Sequence, residues 1–300
     1  MSLFDPEPGQ DPGAGAAAAA APPVRGAEAT GELSDCPARA GRGIRLRLEL
    51  AYDGSGFRGF ATQSGQRTVA GVLADAIATV VRHPIEVTCA GRTDAGVHAL
   101  GQVAHVDVGA GVDLKRLWKS LNRMLAPAVV VRALSVAPEG FDARRSARAR
   151  HYRYLVLQAD SADPLLAPVC WHVAEELDLR AMRAGADALV GEHDFRAFCR
   201  RAPGTETGAS VIRRVLDARW SQCQPLLGRL RPGEQLLAFD VSASSFCHQM
   251  VRSMVGTLVE VGRGRKSAAS VVQLLRAGDR SQAMAVAPPH GLCLVSVDYA

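Results

Sequence analysis

The sequence predicts an α+β fold built from two βαββαβ units in tandem. Apolar residues alternate with period two, then follow a helical period, in the order strand, helix, strand, strand, helix, strand, and that order recurs in the second half. With 300 residues at 48% hydrophobic content, the chain can also bury a core of that size. Residues 45–52 place Leu46, Leu48, Leu50 and Tyr52 on one face and Arg45, Arg47 and Glu49 on the other, which is a half-buried strand. Thr68 is positioned to cap a helix that carries Val69, Val72, Leu73, Ala76, Ile77 and Val80 on one stripe. Strands are expected at 85–90 and 102–108. A helix follows with Leu114, Leu117, Trp118, Leu121 and Leu125 inward, then a strand at 129–136. In the second half, strands are expected at 150–157, 211–220, 236–242 and 292–299. Helices are expected at 179–190 and 246–261, with a short extra one at 268–276. Both units read as ferredoxin-like halves, one at 44–140 and one at 141–300.

Residues 1–43 are rich in Ala, Gly and Pro and lack apolar periodicity, so they read as a disordered tail. They hold six acidic residues against three arginines, or −3. Of the net charge of +5, the remainder of the chain therefore carries +8, nearly all of its cationic groups being arginine. That balance suits a polyanionic partner without specifying one. No run approaches the roughly 18–20 apolar residues of a membrane span, and a secretory leader is not apparent, so a soluble cytoplasmic protein is expected. The seven cysteines are dispersed with no CxxC pair and the eight histidines show no HxxxH spacing. Reduced structural thiols and no metal site are the expectation.

Three segments hold polar residues that the architecture does not require. Gly91-Arg92-Thr93-Asp94-Ala95-Gly96-Val97-His98-Ala99 lies between two strands and brackets an acid with glycines, which permit tight turning and close approach of a substrate. A turn-forming aspartate would look the same from composition alone. Residues 141–154 contain Arg144, Arg145, Arg148, Arg150, His151 and Arg153 leading into Tyr152 and Tyr154, a mixture suited to phosphate contact and base stacking. In residues 246–256, Arg252 lies between Val251 and Val255, where a charge is costly unless paired. Phe57-Arg58-Gly59-Phe60-Ala61 faintly suggests an RNA-recognition aromatic signature, but it falls in a connection rather than on a central strand.

Together these segments resemble the tRNA pseudouridine synthase A family, TruA. The likeness includes Tyr52-Asp53-Gly54-Ser55 with Phe57, Gly59 and Gln63, the whole Gly91 to Ala99 string, residues 141–154, residues 246–256 with Glu260-Val261-Gly262, and the closing segment from Gly291-Leu292 to Tyr299. It covers about residues 44–300. The resemblance implies the pseudouridine synthase fold, with antiparallel sheets flanking a basic cleft, a homodimer, and no cofactor or metal. It implies conversion of uridine to pseudouridine in the tRNA anticodon arm, at positions 38, 39 and 40. By motif position, Asp94 is the expected catalytic aspartate, Tyr152 the active-site tyrosine, Arg252 the arginine paired with the aspartate, and Arg92 the residue that helps extrude the base. Arg58, Thr93, His98, Arg144, Arg150 and His248 are the further expected RNA contacts. The sequence departs from the family at Phe60 (usually Trp), Ala61 (often Gln), Cys247, Gln249 and Ser253, which bear on RNA docking and target choice. The rival readings are a noncatalytic RNA-binding protein of tandem ferredoxin-like domains and a synthase acting at other RNA positions.

Overall fold

The structure, a computed structural model, describes residues 43–200, 211–225, 228–282 and 285–300. The expected tail lies outside the described residues, apart from Gly43. β1 (Ile44–Tyr52) buries Leu46, Leu48 and Leu50 completely and turns Arg45 outward to Asp107 at 2.7 Å. α1 (Val69–Val81) begins where the Thr68 hydroxyl accepts the Gly71 N–H, as its capping position predicts. β2 (Thr88–Cys89) and β3 (His98–Val108) follow, then α2 (Leu114–Leu125), whose first turn is capped by Asp113 accepting the Arg116 N–H. α2 is fixed to β4 (Val129–Val136) by polar contacts at one residue. Val131 O accepts from Trp118 Nε1 at 2.7 Å and from Asn122 Nδ2 at 3.0 Å, while Val131 N donates back to Asn122 Oδ1 at 2.9 Å.

The second half contains β5 (Ala149–Gln158), β6 (Trp171–Val173), α3 (Leu179–Asp187), β7 (Gly191–Asp194), β8 (Ile212–Cys223), β9 (Gln235–Ala243), α4 (Met250–Gly262), α5 (Ala269–Ala277) and β10 (Leu292–Asp298). The short strands β6 and β7 are not legible in the sequence. Each is too brief for a period to show, and each is held by pairing, β6 with β5 and β7 with β8.

All ten strands form one mixed, mostly antiparallel sheet, ordered β4-β1-β3-β10-β5-β9-β8-β7. Within it, each half keeps the order fourth, first, third, second of a split βαβ unit: β4-β1-β3 with β2 beside β3, and β10-β5-β9-β8. The expected pair of sheets is thus one continuous sheet, and the join explains two boundary differences. β2 covers β3 only at His105 and Ala104, which leaves the start of β3 free for β10. β3 accordingly begins at His98 rather than at 102, running parallel to β10 through the pairs His98 with Cys293 and Ala99 with Leu294. Gly101 permits this approach, because a Cβ there would collide with the Val295 carbonyl. Buried side chains of both halves, among them Ile77, Leu121, Tyr154, Phe239 and Met254, belong to one continuous core. Among the described residues no helix is long and apolar enough to cross a membrane, and no three His, Cys, Asp or Glu side chains cluster to hold a metal ion.

Candidate active site

The connection from β2 to β3 is anchored from beneath. Gln102, fully buried on β3, donates its Nε2 to Gly91 O at 2.7 Å and to the Tyr52 hydroxyl at 3.3 Å, and that hydroxyl bonds Thr93 Oγ1 at 2.8 Å. Thr93 O accepts the Phe60 N–H at 3.0 Å. The turn closes where Val97 N donates to Asp94 O at 3.2 Å and Gly96 takes a φ of 78°. With its backbone fixed on both sides, Asp94 presents its carboxylate outward, the side chain 22% exposed.

The partner comes from the other half of the chain. Arg252 Nη1 donates to Asp94 Oδ2 at 3.1 Å, across 158 residues of sequence. The guanidinium is 13% exposed and is aimed by a second bond, from Nε to Ala287 O at 2.7 Å. Ala287 N in turn donates to Arg252 O. The cost of desolvating this charge beside Val251 and Val255 is therefore offset by a carboxylate and a carbonyl. His248 Nε2 lies 3.4 Å from Asp94 Oδ1, with the ring half exposed. The helix expected from 246 starts only at Met250, because Gln249 adopts a φ of 63°. His248 therefore sits in the turn ahead of α4 while Arg252 is in its first turn, and both reach one carboxylate.

Tyr152, on β5, is 8% exposed and meets Phe246 edge to face at 5.1 Å. Burial pushes its phenol well above the ordinary range, with smaller contributions from Tyr52, Cys89 and the Asp94 carboxylate, so the hydroxyl keeps its proton at neutral pH. A buried aromatic face thus stands beside an ionisable carboxylate that a guanidinium and an imidazole steady. Such a set can act on an electrophilic carbon or an acidic C–H while a flat ring is held against the tyrosine.

The family described as tRNA pseudouridine synthase matches residues 50–139 and 186–300, more than half of the chain. The chain belongs to the tRNA pseudouridine synthase family. Its relatives include a tRNA pseudouridine synthase A of Frankia casuarinae, 47% identical over 260 residues that cover 85% of this chain and 89% of the relative. Counterparts of the same name are found in Methylobacterium sp., 43% identical over 85% of this chain and 97% of the relative, and in Mycobacterium leprae, 40% identical over 88% and 92%.

Among the remaining residues expected to meet RNA in a synthase of this family, Arg58, Arg92 and Arg144 are exposed. Arg92 and Arg144 both lie close enough to the Cys89 thiol to act on it electrostatically. Thr93, His98 and Arg150 point inward instead. Thr93 is held by Tyr52. His98 Nδ1 accepts the Gly54 N–H at 3.1 Å while Nε2 meets Pro168 O at 3.1 Å. Arg150 is 7% exposed, with its guanidinium occupied by backbone carbonyls. Thr93 thus meets a side-chain hydroxyl, while His98 and Arg150 meet backbone groups. Tyr52 and Gln102, which anchor the Asp94 loop, were not singled out as supports from sequence. The available signal for Gln102 is an amide side chain next to the apolar pair Val103 and Ala104.

The expectation of reduced thiols fails at two positions. Cys199 and Cys247 form a disulfide, their Cα atoms 5.7 Å apart and 48 residues apart in sequence. Beside it Arg200 N donates to His248 O at 2.9 Å, so the turn that carries His248 is fixed twice. No sequence spacing signals this pair, because tertiary packing brings the turn before α4 onto the 3₁₀ turn at Arg196–Phe198. Cys89, Cys170 and Cys293 are free thiols, each pushed up to about 11 chiefly by burial.

Proposed function

We propose that this chain is an isomerase that converts uridine to pseudouridine in the anticodon stem-loop of tRNA, at positions 38, 39 and 40, with Asp94 as the catalytic carboxylate. The observation that carries the reading is the Asp94–Arg252 pair at 3.1 Å, drawn from opposite halves of a chain that belongs to a tRNA pseudouridine synthase family. The reaction breaks N1–C1′, turns the uracil and joins C5 to the same sugar carbon. The C5 hydrogen leaves as a proton and N1 gains one, so composition and oxidation state are unchanged.

Arg252 at 3.1 Å and His248 at 3.4 Å hold the carboxylate aimed. Asp94 then either attacks C1′ or removes a sugar proton to give a glycal, and both routes use the same geometry. Tyr152 stacks on the detached uracil. Its hydroxyl, protonated at neutral pH, takes part in C5 proton removal as a relay that releases its own proton as it gains the other. Leaving the helical stack costs the target base a few kcal/mol, which Arg92, exposed beside Asp94, offsets by filling the gap. The reading includes a cytoplasmic homodimer, and sedimentation of the purified protein tests the dimer. The enzymatic claim is tested by tritium release from C5-labelled uridine in a tRNA transcript, followed by mapping of the modified positions. Release that survives in Asp94→Asn removes Asp94 from the role, and modification outside positions 38, 39 and 40 redirects the substrate claim.

A further inference from the structure

We propose that Arg150 is a positioning residue for the Asp94–Arg252 pair and not an RNA contact, a role that rests on the synthase reading above. Its guanidinium gathers backbone carbonyls from four points of the chain. Nε and Nη2 donate to Ala90 O at 3.3 and 2.9 Å, and Nη2 also to Arg144 O at 2.8 Å. Nη1 donates to Ser244 O at 2.6 Å and to Ala147 O at 3.2 Å. Ala90 leads into the loop that carries Asp94, and Ser244 follows β9 and leads into the turn with His248 and on to Arg252. Arg150 also shares a face of β5 with Tyr152, two residues on. One buried side chain therefore ties together the approaches to all three groups that define the site.

The chemistry fits arginine specifically. A guanidinium is a planar fork of five donors that stays charged when buried, and here every nitrogen is engaged. An ammonium is a point charge whose three donors cannot make the five contacts that reach Ala90, Arg144, Ala147 and Ser244. Arg150→Lys would keep the charge but release at least one of the two approaches. A displacement of about 1 Å between reacting groups is enough to cost about 100-fold in rate. With 7% of its surface exposed, Arg150 cannot reach a phosphate without abandoning these bonds.

The test is steady-state turnover of a full-length tRNA transcript by Arg150→Lys, with tRNA binding and thermal melting measured on the same protein. The expected result is a kcat lower by about 100-fold, with tRNA Kd and KM within about threefold of wild type, in protein folded at the assay temperature. Arg219→Lys, on β8 and paired with Asp217 at the surface, should keep kcat within about twofold. An unchanged kcat with a lowered Tm would reduce Arg150 to a structural role. A raised KM with intact kcat, together with a salt slope smaller by about one in the uncharged Arg150→Gln, would make it a phosphate contact. Either overturns the proposal. If Arg150→Lys does not fold, Arg150→Gln is read in the same way, and failure of both to fold also defeats the positioning claim. Asp94→Asn in the same assay separates the two readings. Its activity would sink the synthase mechanism, whereas its inactivity beside a fully active Arg150→Lys would sink only the role of Arg150.

Discussion

Two short connections each contain one aspartate with arginine close by, and the structure uses them in opposite ways. Asp142 spends its carboxylate on its own turn. Oδ1 accepts the Arg144 N–H at 2.9 Å and the Arg145 N–H at 2.8 Å, while the Asp142 N–H donates to Ser146 Oγ. Asp94 turns away from its own loop, and its oxygens face Arg252 and His248. The turn-forming role that composition alone allows for Asp94 is thus realised at Asp142. An aspartate whose local N–H groups need it is a piece of structure. One whose loop is already anchored by neighbours, here through Gln102 and Tyr52, is free to meet something else.

The contrast is testable from its strongest consequence downward. Asp94→Asn should abolish turnover, a loss of about 10³-fold or more in tritium release, while tRNA affinity and melting temperature stay near wild type. Asp142→Asn should leave kcat within about twofold, and a comparable loss there would erase the distinction. Arg252→Met should lower kcat by about 100-fold and also lower Tm, since it leaves the Asp94 carboxylate and the Ala287 carbonyl without their donor. Arg144→Ala, exposed in the Asp142 connection, should raise KM for tRNA and reduce the salt slope by about one with kcat intact. Thr93→Val should cost about 1 kcal/mol of stability by urea titration, through loss of the Tyr52 hydrogen bond.

The smallest effect concerns acid. The Arg145 N–H, against a smaller desolvation penalty and aided by the Arg144 N–H, holds the Asp142 carboxyl below its usual range. A depressed folded-state value contributes stability at neutral pH that is lost as pH falls below the ordinary aspartate value of about 3.9. Protection of the Arg144 and Arg145 amides, measured against their intrinsic exchange rates, should therefore fall in that acidic window, and Asp142→Asn should abolish the pH dependence.

The sequence by itself determined the strands and helices long enough to show a period. It also marked the Gly91 to Ala99 loop and Arg252 as polar features that the architecture does not require, while the pairing of Asp94 with Arg252 is what the family resemblance implies. It did not determine that the two halves share one sheet, since pairing of β10 with β3 is a contact between residues nearly 200 apart, His98 with Cys293, that leaves no local pattern. Nor did it separate the polar residues that are exposed, such as Arg58 and Arg92, from those whose side chains turn inward. Thr93, His98 and Arg150 are expected RNA contacts through the family resemblance, and in the structure the side chain of each is buried and bonds a backbone or hydroxyl group. Only tertiary structure decides this, because a donor's direction depends on where distant carbonyls come to rest, as Ala90 and Ser244 do around one guanidinium.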